Sequence, residues 1–243
     1  HGAIYRGRKV GTFGDIATWS FCQDKIISTG GEGGMISTNN KKLWLKCWSY
    51  KDHGKNYNNV FYKKHKTGFK WLHDDLGSNY RMTEMQAVIG REQLKSLDKQ
   101  LKVRNRIANL YICKLKDFYT KYNLLQKPDF KCETCPLKQN VKPCNKCIHV
   151  FYKLNLYINP KKVNQIKLID KLNKYKIQCG VGSCPEIYRE KVFKKYKFQP
   201  KFRLHNAKKL GETSLVFPIN PFKKIQLIKK EIFIIKKILN SYI

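Results

Sequence analysis

Four glycines within five positions, Gly30, Gly31, Gly33 and Gly34, constrain how the first part of this chain can fold. Such a run either needs positive φ or brings backbone closer to a neighbour than a Cβ allows. The residues around it narrow the choice. Ile16 to Phe21 reads as a buried strand, and Ile26 to Met35 as a turn leading into a second strand through Ser37. Lys25 therefore falls just beyond a strand end, beside the glycine turn. Taken alone, the stretch admits two readings, a strand-turn-strand corner or a cofactor site.

At 243 residues, with 42% hydrophobic and 13% aromatic residues, the chain can bury a real core and hold one large or two modest domains. No apolar run approaches the ~20 residues needed to span a bilayer, and nothing at the amino end resembles a signal peptide, so a cytoplasmic location is expected. The formal charge of +33 raises the question of nucleic acid. Only eight of the 50 basic residues are arginine, and the lysines are dispersed along the whole chain. Specific base and phosphate contacts favour the arginine fork, so the lysines read as solvated surface and no nucleic acid partner is expected.

The remaining elements follow from periodicity. Lys41 to Tyr50 reads as helix and Asn56 to His73 as a polar, aromatic-dotted loop. Thr83 and Gln86 form a Thr-x-x-Gln capping box before one long helix, or two joined near Leu97 and Asp98, running to about Leu115. Beyond Phe130, His149 to Ile158, Ile177 to Val181 and Ser214 to Ile219 read as strands, and Lys161 to Tyr175 as an amphipathic segment. Ile225 to Leu239 reads as a final helix with Ile225, Ile228, Ile232, Ile235 and Leu239 on one stripe and lysines around the rest. Such a helix either packs on a core or lies on a membrane, and the core is expected.

Nine cysteines divide into two groups. Cys22, Cys47, Cys113, Cys179 and Cys184 are scattered and are expected to be reduced. Cys132, Cys135, Cys144 and Cys147 form two Cys-x-x-Cys pairs eight residues apart, each able to present two thiolates to one tetrahedral ion. Structural zinc is the favoured reading, and a cysteine-rich surface loop or an oxidised pair is the other. With four protein ligands such a site would brace a loop and leave no open position for chemistry.

Read together, His1-Gly2-Ala3, Gly11-Thr12-Phe13-Gly14-Asp15, Ser20-Phe21 with Lys25, Gly31-Glu32-Gly33-Gly34-Met35, His53-Gly54 and Gly77-Ser78-Asn79-Tyr80-Arg81-Met82-Thr83-Glu84-Met85-Gln86-Ala87 occur in an order and spacing that resembles the DegT/DnrJ/EryC1/StrS family of pyridoxal-phosphate-dependent sugar aminotransferases. The resemblance continues more weakly through Gly182-Ser183-Cys184-Pro185-Glu186-Ile187-Tyr188 and Gly211-Glu212-Thr213-Ser214-Leu215. It implies an α/β fold: part of a fold type I PLP-transferase large domain, of the aspartate aminotransferase kind, followed by a small α/β carboxy-terminal domain. Residues 1-111 would belong to the large domain and 112-243 to the small one, with a Cys-rich insertion at 130-148.

The same resemblance implies roles. Lys25 matches the family's Schiff-base lysine and Ser20 the serine that hydrogen-bonds the cofactor phosphate. Asn79 and Arg81 match residues that reach across a dimer interface, Asn79 to the partner's cofactor phosphate. A homodimer with shared active sites is implied. Glu32 and His53 lie in matching motifs without a role, and Asn220 stands where the family often has histidine. A subgroup that deoxygenates sugars carries histidine in place of the lysine, so Lys25 favours transamination, with a nucleotide-sugar substrate, usually glutamate as amino donor, and a place in amino-sugar or surface-polysaccharide biosynthesis. The family's carboxylate partner for the pyridine nitrogen lies a few residues upstream of the His1-Gly2-Ala3 segment. The chain is therefore expected to be a carboxy-terminal piece, inactive alone. Two other readings stand beside this one: an aminotransferase-like protein that has lost the reaction, and a basic zinc-stabilised binding module using Phe151, Tyr152 and Lys153 as stacking positions.

Overall fold

The structure, a computed structural model, describes residues 1–126, 147–182 and 184–243. These fall into two compact units, residues 1–99 with 147–149, and residues 100–126 with 150–243. Cys132, Cys135 and Cys144 lie outside the described residues, as does Ser183.

In the first unit, β1 (Ile4–Tyr5) and β2 (Arg8–Lys9) form a short antiparallel hairpin. The glycine turn joins β3 (Ala17–Ser20) to β4 (Gly34–Ser37), antiparallel, with Ala17 opposite Ser37 and Ser20 opposite Gly34. The strand-turn-strand expectation holds, but β3 is not the buried strand expected: Ile16, Thr18 and Ser20 are exposed and Ala17 and Trp19 only half-buried. Helix α1 (Lys41–Lys51) starts where Asn40 accepts from the amides of Lys42 and Leu43, and α2 (Tyr57–Phe61) where Asn56 accepts from Asn58 and Asn59. The segment read as a loop from Asn56 thus opens with a helical turn, because Asn56 caps it and Tyr57 packs edge-on against Trp44 and Trp48, both at 4.9 Å.

The long helix is one piece, α3 (Glu84–Lys114), and its capping box is made: Thr83 N donates to Gln86 Oε1 at 3.0 Å and Gln86 N to Thr83 Oγ1 at 3.3 Å. It runs from the first unit into the second, and its apolar positions divide with it. Met85, Val88 and Leu94 are exposed, whereas Leu101, Ile107, Ala108 and Tyr111 are buried.

The second unit carries the principal core. Strands β5 (Leu125–Gln126), β6 (Lys153–Ile158) and β7 (Ser214–Pro218) form an antiparallel sheet in the order β5-β6-β7, with Asn155 opposite Val216. Alternation along β6 buries Leu154, Leu156 and Ile158. Besides the short α4 (Lys116–Thr120), α5 (Gln165–Lys174) contributes Leu168, Ile169 and Leu172 to the same core. So does α8 (Ile225–Asn240), whose stripe at Ile228, Ile232, Ile235 and Leu239 is buried. At about 1.5–3 kcal/mol for each fully buried side chain, that stripe settles the membrane alternative in favour of the core. No helix among the described residues is long and apolar enough to cross a membrane.

Two expectations need correction. Ile177 to Val181 is not a strand; only Gly180 bridges to Val216, since Ile177 and Cys179 are drawn into the core individually. Phe151, offered as a stacking position, is buried in the core and presents no face to a base.

Sequence periodicity also missed α6 (Lys191–Lys195) and α7 (His205–Thr213). What orders this stretch is a polar hub. The buried Glu186 carboxylate accepts from Tyr188 Oη (2.6 Å), Arg189 Nη1 (3.2 Å) and Arg203 Nε (2.8 Å), with Arg203 Nη2 also on it, and Arg203 reaches Glu212 on α7 at 3.0 Å. The Arg203 hydrogen bonds, against a burial effect of opposite sign, lower the Glu186 pKa to about 2. A pKa held below the unfolded value of 4.5 means stability that is present above that value and lost as pH falls towards 2. Glu186→Gln should therefore melt earlier than the native chain at neutral pH, and the gap between the two melting curves should narrow as pH is lowered through that window.

Candidate active site

Of the residues singled out by sequence, Ser20, Lys25, Glu32, His53, Asn79 and Arg81 lie in the first unit and form two clusters there; Cys147 lies in its 147–149 segment, Phe151, Tyr152, Lys153 and Asn220 lie in the second unit, and Cys132, Cys135 and Cys144 lie outside the described residues. In the first, β3 ends at Ser20 and the chain crosses to the glycine turn by Phe21 N donating to Gly33 O (2.8 Å) and a bridge between Cys22 and Gly31. Lys25 N donates to Cys22 O at 3.0 Å and Thr29 N to Phe21 O at 3.2 Å, so the backbone on both sides of Lys25 is fixed. Its side chain is 31% exposed and pairs with Asp24 at 2.6 Å. Ser20 Oγ accepts from Cys22 N at 3.4 Å, and the Glu32 carboxylate accepts from Cys22 Sγ at 3.3 Å. Phe21 and Trp19, at 5.6 and 5.9 Å, stack with the His1 ring.

The glycines have steric reasons. Gly30 and Gly31 adopt φ of 81° and 149°, where side chains are strained. A Cβ at Gly33 would overlap Thr29 Oγ1, and the buried Thr29 cannot easily give way because it donates to Glu32 O at 3.0 Å. Glu32 O also takes Gln86 Nε2 at 2.8 Å, which joins the turn to the start of α3.

The second cluster holds Asn79 and Arg81. Arg81 Nε donates to Asn79 Oδ1 at 3.1 Å and lies 3.7 Å from Asp52 Oδ1, while its Nη2 is 3.5 Å from His53 Nε2. Asp52 bridges to Asn79 through backbone, and Lys55 Nζ reaches its carboxylate at 3.2 Å. Burial alone would raise the Asp52 pKa, but the Lys55 hydrogen bond and the charges of Lys55, Arg81 and Lys51 outweigh it and hold the group below its ordinary value. Backbone contact makes the cluster possible: a Cβ at Gly54 would overlap the Asp75 carbonyl, and one at Gly77 would overlap Gly54 N. Asp52 is the participant that sequence reasoning missed, since a single aspartate beside a helix end carries no pattern. Among the described residues no group of three or more His, Cys, Asp or Glu side chains could hold a metal ion.

Residues 1–228 match the profile of the DegT/DnrJ/EryC1/StrS aminotransferase family. The chain belongs to that family. This DegT-family chain is 41% identical over 110 residues to the GDP-perosamine synthase of Escherichia coli O157:H7, covering 45% of this chain and 27% of the relative. It is 30% identical over 199 residues to the UDP-4-amino-4,6-dideoxy-N-acetyl-beta-L-altrosamine transaminase of Campylobacter jejuni serotype O:23/36, covering 74% of this chain and 50% of that protein. Among solved structures, the aminotransferase from Psychrobacter cryohalolentis superposes with a TM-score of 0.88 at 40% identity, over 100% of this chain and 60% of that one. The DegT-family chain thus spans at most about half the length of these curated relatives, and the α/β PLP-transferase fold implied by its motifs is the fold it has.

The cluster geometry gives a direct test of packing in the turn. Gly33→Ala should lower stability by about 1–3 kcal/mol through overpacking against Thr29. Adding Thr29→Ala should recover part of that loss, so that the double mutant costs less than the sum of the single mutants in urea titrations.

Proposed function

We propose that this chain is the lysine-bearing part of an enzyme that transfers an amino group, from glutamate, onto a nucleotide-linked keto sugar in amino-sugar or surface-polysaccharide biosynthesis, with pyridoxal phosphate as cofactor. The observation that carries the reading is Lys25: a half-buried amine on backbone fixed at Cys22 and Thr29, in a chain of this family. The relatives reported above, a GDP-perosamine synthase and a UDP-amino-sugar transaminase, support the substrate class.

The donors present fit that cofactor. Lys25 supplies an accessible primary amine for an aldehyde, and the Ser20 hydroxyl, five residues earlier at the end of β3, supplies a hydrogen-bond donor for a phosphate oxygen. When bound, pyridoxal phosphate supplies the electron sink that lets a carbon–hydrogen bond beside an amino group ionise. Lys25 Nζ must first leave the Asp24 carboxylate and shed a proton to act as a nucleophile. With cofactor and amino donor bound, the free Lys25 Nζ would be the group that accepts the proton from the donor carbon and gives it back. The amino group ends on the sugar carbon and the donor leaves as its keto acid.

In this reading Asn79 and Arg81 serve the neighbouring site of a homodimer, which agrees with their grouping around Asp52 and His53 rather than around Lys25. Residues 1-111 act as part of the cofactor-binding large domain and 112-243 as the small domain, and a cytoplasmic location goes with a nucleotide-linked substrate. We also propose structural zinc at Cys132, Cys135, Cys144 and Cys147. The paired spacing supports it, as does Cys147 Sγ, which accepts from Arg6 N at 3.4 Å, a partner suited to a metal-bound thiolate.

The protein incubated with pyridoxal phosphate should show a visible absorbance band that borohydride bleaches, with the reduced label on Lys25. Lys25→Ala should lose the band and the label, and a native protein without either overturns the reading. Metal analysis should find about one zinc per chain, falling sharply in Cys147→Ser. Protein purified without zinc overturns the metal assignment.

A further inference from the structure

In the first unit, the segment between α2 and the Asp52 cluster carries two large rings that the fold leaves in solvent. Phe69 is 78% exposed and Trp71 75% exposed, and they meet edge to face at 4.5 Å and 73°. Trp71 also adopts φ of 48°, in the left-handed region that a bulky residue rarely enters. Exposure and backbone strain thus fall on one residue, a combination that folding alone does not favour. The segment is not a loose loop. Asn56 N donates to Leu72 O at 2.8 Å, Lys55 bridges to His73, and Asp74 N and Asp75 N both donate to Gly54 O, so the backbone beside Trp71 is tied to the His53-Gly54 turn.

Charge completes the picture. Lys63, Lys64, Lys66 and Lys70 stand within eight positions of one another, while the exposed Asp74 and Asp75 carboxylates are engaged by neighbouring donors, Asp74 accepting from Asn56 Nδ2 and Asn59 Nδ2 and Asp75 from Leu76 N. A flat apolar ring flanked by flexible cations suits a ligand with a planar base and a chain of phosphates. The pair is oriented by backbone hydrogen bonds rather than by packing, which leaves the ring face open.

We infer that Trp71, supported by Phe69 and the lysines of this segment, is the stacking platform for the base of the nucleoside diphosphate carried by the substrate. The inference rests on the reading of the substrate as a nucleotide-linked sugar. It locates the nucleotide end beside the Arg81–His53 cluster, through the Lys55–His73 bridge.

The test measures binding of GDP and of UDP to the full chain by calorimetry, alongside inorganic pyrophosphate as a phosphate-only probe. Native protein should bind at least one of the two nucleotides more tightly than pyrophosphate. Trp71→Ala should weaken nucleotide binding about tenfold or more, and Trp71→Phe should stay within about threefold of native. Three results would overturn the inference: no nucleotide binding by the native chain, unchanged binding in Trp71→Ala, or a change in sedimentation on Trp71→Ala that makes the face a contact with a second copy. The Lys25 absorbance band separates the two ideas. If it is present while Trp71→Ala binds nucleotide normally, only the platform fails; if it is absent while nucleotide binding still follows Trp71, the transamination reading fails.

Discussion

One carboxamide holds the first unit in register. Gln86 closes the capping box of α3 with its oxygen, taking both the amide and the hydroxyl of Thr83, and with its nitrogen it donates to Glu32 O in the glycine turn, 54 residues away in sequence. A capping box ordinarily serves only its own helix. Here the same side chain satisfies a helix start and locks a turn, and Glu32 O in turn is shared with Thr29 Oγ1. The backbone that carries Lys25 runs between Phe21 and Thr29, both tied to that turn. The backbone that carries the amine is thus tied to a helix cap, and the amine itself pairs with Asp24.

This matters because the two units are stabilised differently. The second has a continuous apolar core drawn from three strands and the buried faces of α5 and α8. The first buries Ile26 and Ile27 but leaves the α3 positions Met85, Val88 and Leu94 exposed, and it relies on caps, aromatic edges and charged clusters. A directional network fixes atoms to fractions of an ångström where apolar packing fixes only shape. Placing the candidate chemistry on the directional unit and the bulk of the burial on the other separates precision from cohesion.

Much of this was legible because it is written in short range. The glycine run, the Thr83-x-x-Gln86 box and the α8 stripe each carry their cause within a few residues, and each formed as read. The illegible parts depend on partners far away in sequence. Asp52 matters through Asn79 and Arg81; Glu186 matters through Arg203, which also reaches Glu212 on α7; and α6, only five residues long, is too short to show a period. The Ile177 to Val181 segment misled because its apolar residues enter the core from irregular backbone, with one bridge at Gly180. The four-cysteine motif is legible in sequence, yet of its members only Cys147 falls among the described residues.

The glycines explain why a family can be recognised in a chain whose reactive groups are few. Gly33 has no room for a Cβ because of Thr29, Gly54 because of the Asp75 carbonyl, and Gly77 because of Gly54 N. None of these positions offers a functional group; Gly54 and Gly77 permit two stretches of backbone to touch, and Gly33 makes room for the Thr29 hydroxyl. His53 and Arg81 come within 3.5 Å only because Gly54 and Gly77 let their strands of chain meet, and Ser20 stands opposite Gly34 at the edge of the turn that follows Lys25. The spacing that identifies the family is therefore a steric pattern before it is a chemical one. A substitution at Lys25 removes one amine from an intact turn, whereas a side chain at Gly54 or Gly77 removes the backbone contact that brings Asn79, Arg81 and His53 together.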